Sequence, residues 1–144
     1  MTQTDYATKA ALTEFIVRHA YALDSEDYET LATLYAPDVT GTFQGHGPVS
    51  GYDAMEAIYR HSSRNLAAQQ HILSNHLIEI SGDEATSRCY FHAMHFRPGA
   101  PGGETFIVGG TYTDALRRSG DQWRIVQHDI SYGWTSGNPS VMDD

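Results

Sequence analysis

The spacing of apolar residues changes once along the chain, and this change constrains the fold more than any other feature. From Tyr6 to Leu23 they recur at helical spacing, with Leu12, Phe15, Ile16, Ala20 and Leu23 on one stripe beside His19. The pattern predicts an amphipathic helix of about five turns, capped by Thr4. Asp24-Ser25-Glu26-Asp27 breaks it and offers Ser25 or Asp27 as cap of a second, short helix through Leu31, Leu34 and Tyr35, ended by Pro37. A strand over Val39–Phe43 follows, then a turn region from Gly45 to Gly51, then a third helix over Tyr52–Ser62 with Met55, Ile58 and Tyr59 inward. Beyond it the chain reads as strands: Gln70–Ile80, Thr86–Phe96, Thr105–Leu116 and Trp123–Tyr132. Gly82-Asp83, the Pro98–Gly103 loop and Ser119-Gly120-Asp121 separate them, so consecutive antiparallel hairpins are expected. Helices first and a meander afterwards give an α+β fold. Three helices cannot cover both faces of a long curved sheet. The concave side is therefore expected to wrap the helices and a pocket, and the outer side to meet sister subunits or water. One domain is expected over 1–135, with 136–144 as a loosely held tail.

With 144 residues and 40% of them hydrophobic, the chain can bury a sizeable core. A formal charge of −9 argues against nucleic acid and anionic membrane as partners. Cys89 is the only cysteine, which excludes an internal disulfide and a cysteine zinc finger, and no stretch is apolar enough for a leader or a membrane span. A cytoplasmic location is the expectation. Eight histidines are the one compositional hint of chemistry, because imidazole titrates near neutral pH.

In the first long strand, alternation puts His71, Leu73, Asn75 and Leu77 on one side and Ile72, Ser74, His76 and Ile78 on the other. Both sides carry apolar residues, so periodicity leaves the inward side open. His71 reads either as a histidine satisfied within the sheet or as a general base that a carboxylate would orient. Asp24 is either a helix-junction cap or an inward carboxylate that would need a cationic partner such as an imidazole. His92 and His95 lie three apart on a strand, hence on opposite faces, and no metal site is expected. On the last strand either His128 with Val126, Ile130 and Tyr132, or Trp123 with Ile125, lines the interior, and a bulge would reverse the choice. Gly109-Gly110 within a strand marks a bulge or a close approach; with no helix after it, it is not a phosphate loop. Nucleophile-elbow and Walker motifs are absent from the sequence, and no cofactor is expected.

Leu23-Asp24-Ser25-Glu26-Asp27-Tyr28, Leu34-Tyr35-Ala36-Pro37-Asp38-Val39, Gln70-His71, Gly109-Gly110-Thr111-Tyr112-Thr113-Asp114 and Gln122-Trp123-Arg124-Ile125 occur in that order. The chain thereby resembles the SnoaL-like branch of the nuclear transport factor 2-like superfamily over about residues 8 to 135. Its pattern is most similar to scytalone dehydratase, gamma-hexachlorocyclohexane dehydrochlorinase and bile acid 7-alpha-dehydratase. The resemblance implies a cone of three helices on a strongly curved, mainly antiparallel sheet, an apolar cavity open at one end, and a homotrimer, with a homodimer as the alternative. It implies a His-Asp dyad at His71 and Asp24. Polar helpers fall at His19, five residues before Asp24, at His95 and at His128.

The two tyrosines of scytalone dehydratase fall at Leu23 and Phe43, which argues against scytalone as substrate. Tyr112 and Tyr21 are the substitute phenols. Met55, Leu73, Met94 and Phe96 complete the expected lining. The resulting expectation is a cofactor-free lyase of the hydro-lyase kind, eliminating water or a similar group from a small hydrophobic cyclic molecule. A proton-shuttling isomerase, or a non-catalytic binder resembling the β subunits of ring-hydroxylating dioxygenases, is the alternative.

Overall fold

Thr2, rather than Thr4, caps the first helix. Its hydroxyl accepts the Asp5 amide while the Asp5 carboxylate accepts the Thr2 amide, so helix α1 runs over Gln3–Asp24, a turn longer than its apolar stripe. The computed structural model describes residues 2–144, so the first residue of the expected 1–135 domain lies outside it. Glu26 then adopts a left-handed conformation (φ 55°) and reverses the chain, and the Asp27 side chain caps α2 (Tyr28–Leu34). Tyr35 belongs to a strand instead of the helix: Pro37 biases Ala36 toward extended backbone, and β1 covers Tyr35–Phe43. The expected turn region holds a short strand, β2 (Gly47–Ser50), paired antiparallel with β1. Helix α3 spans Tyr52–Ser63.

Four long strands follow: β3 (Ala68–Ser81), β4 (Glu84–Phe96), β5 (Thr105–Ser119) and β6 (Gln122–Gly137). The six strands form one mixed sheet in the order β2-β1-β6-β5-β4-β3, in which only β1 and β6 run parallel. With three helices on its concave face, this is the cone-shaped α+β architecture of the nuclear transport factor 2-like, or cystatin-like, fold. Leu12 and Ile16 of α1, Leu31 of α2 and Met55 of α3 meet Tyr35, Leu116 and Ile125 of the sheet in one buried core.

Bulges decide which side chains look inward. In β3, Gln69, His71 and Leu73 turn inward. Asn75, at φ 56°, then inserts an extra residue, so that Ile78 and Ile80 are inward and Leu77 is 68% exposed. In β6, Ile125 pairs with Leu116 while Gln127 pairs with Ala115. Val126 is the extra residue, and Ile125 and His128 are both buried although they are three apart. Gly109-Gly110 is both a bulge and a close approach: Gly109 pairs with Trp134 and Gly110 with Tyr132, and a Cβ on either would overlap the rings of Trp134 or Phe91.

The segment 136–144 departs from its expected looseness. β6 continues to Gly137, Asn138 caps a 3-10 turn over Pro139–Met142, and Val141 is fully buried. Arg97 and Asn65 side chains both donate to the Asp143 carbonyl. Two anchored donors and one buried side chain outweigh the polar composition of this stretch. Among the described residues no helix is long and apolar enough to cross a membrane.

Candidate active site

The C-terminus of α1 meets the free edge of β3. Gln69 Nε2 donates to the Leu23 carbonyl (2.8 Å), and the His71 amide donates to both Asp24 oxygens (3.1 and 2.9 Å). The latter bonds occupy a backbone amide at the edge of β3 that no strand covers among the described residues. They also fix the Asp24 carboxylate beside its second donor, His71 Nδ1, at 2.6 Å. A carboxylate only accepts, so Nδ1 carries the proton and Nε2 is the basic nitrogen of the neutral ring. The His71 side chain is 8% exposed and that of Asp24 21%.

His71 stands in the wall of a cavity of about 390 Å³ together with Leu23, Phe43, Tyr59, His95 and Tyr112. Pro139 and Met142 of the C-terminal segment line it as well. His95 Nδ1 donates to the Phe106 carbonyl (3.2 Å), and its ring stands edge-on to His71 with centroids 6.2 Å apart. Burial, then the neighbouring His71, lowers the His95 pKa and keeps its ring neutral, with a lone pair on Nε2.

Behind this wall lies a polar cluster that mixes expected and unexpected residues. His19 Nε2 is 2.5 Å from the Tyr35 hydroxyl, which is 2.9 Å from the hydroxyl of Tyr59. Beside it, His128 Nδ1 donates to Asp114 Oδ1 at 2.5 Å, in a second His-Asp pair that is almost fully buried. His128 Nε2 is buried without a partner among the described residues. Burial is the largest influence on the phenols of Tyr35, Tyr59 and Tyr112; Asp114 adds to it, and all three are held in their protonated form.

Sequence reasoning missed Tyr35, Tyr59 and Asp114 as site residues. Asp114 shares the face of Tyr112 in β5, so an inward Tyr112 implies a buried carboxylate in need of a partner. Tyr59 follows Met55 by one helical turn, which marks it as inward but not as polar-paired.

Several expected positions lie elsewhere. Met94 alternates with inward Ala93 and His95 and emerges on the outer face, and Phe96 shares its side. Met55 is sealed in the core, and Leu73 packs partly buried against that core outside the cavity wall. His19 and His128 sit one layer behind the wall, and Tyr21 is exposed on α1. His92 and His95 do face opposite sides of the sheet.

The model of the SnoaL-like domain matches residues 4–129. This chain belongs to that family. A curated relative, an uncharacterized protein of Mycobacterium tuberculosis, is 23% identical over 125 residues, covering 85% of this chain and 84% of the relative. Among solved structures, a candidate scytalone dehydratase from Novosphingobium aromaticivorans superposes with a TM-score of 0.86 at 23% identity, covering 96% of this chain and 92% of the other. A hexachlorocyclohexane dehydrochlorinase from Novosphingobium barchaimii gives 0.81 at 14% identity, covering 94% and 92%. At such identities the structural likenesses establish the shared fold of this SnoaL-like chain, and its chemistry has to be argued from its own cavity.

Proposed function

We propose that this SnoaL-like protein is a cofactor-independent lyase that eliminates water, or a comparable leaving group, from a small hydrophobic cyclic substrate. The observation that carries the reading is the Asp24–His71 hydrogen bond at the wall of a mostly apolar cavity. Neutral His71 takes a proton from a carbon next to an activating group through Nε2. Asp24, already bound to Nδ1, stabilises the imidazolium that forms. The leaving hydroxyl recovers that proton from Nε2 as its bond to carbon breaks, so water departs and the ring returns to its starting state. His95 Nε2, a neutral acceptor in the same wall, orients the hydroxyl before it leaves. His19 and His128 act from behind the wall. The names of the dehydratase and dehydrochlorinase neighbours favour elimination over other uses of such a pair.

The test is a screen of cyclic hydroxy-ketones and halides by mass spectrometry. Loss of one water or one hydrogen halide is expected, with turnover abolished in His71→Ala and strongly reduced in Asp24→Asn. Full activity in both variants would sink the mechanism, and a product of unchanged mass would move the reading to an isomerase. We propose a homotrimer formed through the outer face of the sheet, where Ile72, Tyr90, Met94 and Trp134 are exposed, and a cytoplasmic location. Light scattering of the purified chain tests the trimer.

A further inference from the structure

We propose that Arg64 and Arg97 form an anion subsite at the mouth of the cavity, so that the substrate is a hydrophobic ring carrying a carboxylate or a comparable anionic arm. The inference rests on the lyase reading of the same cavity and adds the second half of its substrate. Three observations carry it: where the fold brings the two arginines, what they hold in the structure, and how little the cavity interior offers an anion.

The arginines come from separate elements. Helix α3 ends at Ser63 with Arg64 as its C-cap, and Arg97 follows the last residue of β4. The Ala67 amide donates to the Phe96 carbonyl (2.9 Å), which ties the two stretches together. Pro139 and Met142 line the cavity, and the two residues that follow them rest on the arginines. Arg97 Nη1 donates to the Asp143 carbonyl (2.7 Å), and Asn65 Nδ2 donates to the same oxygen (3.2 Å). The Arg64 guanidinium pairs with the Asp144 carboxylate. His61, whose side chain belongs to the cavity wall, has Nε2 4.0 Å from that carboxylate. One carbonyl and one carboxylate of the protein itself thus stand where the anionic group of a ligand would.

Both contacts are weak enough to exchange. The Asp144 side chain is 81% exposed, so its pair with Arg64 is screened by water and salt. Among the described residues Arg97 has no carboxylate within salt-bridge reach, and a neutral carbonyl leaves its charge uncompensated. A ligand already anchored by burial of its ring can displace such partners, because the ring supplies affinity and the arm supplies orientation.

The interior, by contrast, disfavours an anion. Asp24 holds His71, Asp114 holds His128, and burial keeps His19 and His95 neutral. A carboxylate drawn inside would lose its hydration and meet two like charges. With a formal charge of −9 the chain repels anions at long range, so local cations are needed to admit one. The arm therefore stays at the mouth and the ring enters first, which presents ring carbons to His71.

Binding tests this without turnover. The probes are 2-naphthaleneacetate and 2-naphthaleneacetamide, which match in shape and differ in charge, read by naphthalene fluorescence. The acid should bind about tenfold more tightly than the amide near 0.02 M salt, and the gap should shrink to about twofold near 0.5 M. The double variant Arg64→Gln, Arg97→Gln should remove the preference and leave amide binding unchanged. Asp144→Asn, at an exposed position, should raise affinity for the acid about threefold and leave the amide unchanged, which tests the site even if the arginine variants fold poorly. Arg18→Gln and Glu14→Gln change the net charge by the same steps on an exposed face of α1 and should alter neither value, which separates a subsite from the overall field. If acid and amide bind equally well, or if the double variant keeps the preference, the subsite is wrong and the lyase cavity stands. If neither probe binds, the cavity reading falls and this inference falls with it.

Discussion

Acidification should loosen the fold, and buried His19 contributes a share that a single variant can separate. Burial, and after it the neighbouring His128 and His71, holds the His19 pKa well below its ordinary value. The folded state therefore keeps His19 neutral, while the unfolded chain takes up a proton below about pH 6.5. The unfolded state then binds more protons, so the stability due to neutral His19 is complete above about pH 6.5 and is lost as pH falls below it. The slope approaches about 1.4 kcal/mol per pH unit for one group, which integrates to about 2 kcal/mol between about pH 7.5 and 5. In a chain of this length that is a fall of about 6 °C in Tm. The variant to compare is His19→Gln, whose amide keeps a neutral donor and acceptor and does not titrate. Urea melts across this pH range should show the variant less stable at the alkaline end. The gap should narrow by about 2 kcal/mol at the acid end. His95, whose pKa is also lowered by burial, contributes to both proteins and cancels in the difference. Parallel curves for the two proteins would show that His19 is not held neutral by its burial.

Other consequences can be measured without a substrate. Asp114→Ala leaves buried His128 without its partner and should cost about 3–5 kcal/mol, read as a Tm loss of about 10 °C or more; a loss under about 1 kcal/mol would mean that the pair contributes little. Gly109→Ala puts a methyl group into the Trp134 ring and should destabilise by about 1–3 kcal/mol, and Trp134→Leu should relieve part of that cost in a double-mutant cycle. The Cys89 thiol is buried and its pKa is pushed up to about 12, so Ellman's reagent should label the native protein very slowly and the urea-unfolded chain readily. Rapid labelling under native conditions would contradict the burial of β4.

The elements were legible because their signals are local. The stripe from Leu12 to Leu23, the breaker run at Asp24 and the Gly-Asp turns fix three helices and four long strands without tertiary help. The ends were less so: Thr2 caps through a reciprocal bond with Asp5, and the strand β2 exists only because β1 offers it an edge. Facing was legible only up to each bulge. His71 could be placed on one side with Leu73, but Asn75 moves Leu77 to the other, and Val126 lets Ile125 and His128 share the interior. No alternation rule contains an extra residue, so such choices rest on partner register that the chain's own pattern does not carry.

The two His-Asp pairs differ in how much of them the chain order shows, and the difference follows from where their carboxylates originate. Asp24 ends a helix, interrupts a periodic pattern and sits beside a strand edge with unpaired amides, so several local features converge on it. Asp114 lies in the middle of a central strand, where an ionisable residue looks like an ordinary outward polar position until Tyr112 and Cys89 are known to be buried on its face. The same geometry separates what the pairs can do. The edge pair is partly solvated and His71 lines the cavity, so a change of charge there costs less than in the interior. The central pair is sealed and its remaining nitrogen has no partner among the described residues, so a change of charge there would be expensive, and it suits a fixed electrostatic support for the phenols around it. The sheet thus places one His-Asp pair at its edge, in the wall of the cavity, and a second, sealed pair at its centre, with Tyr59 lying between the Tyr35 hydroxyl and the cavity.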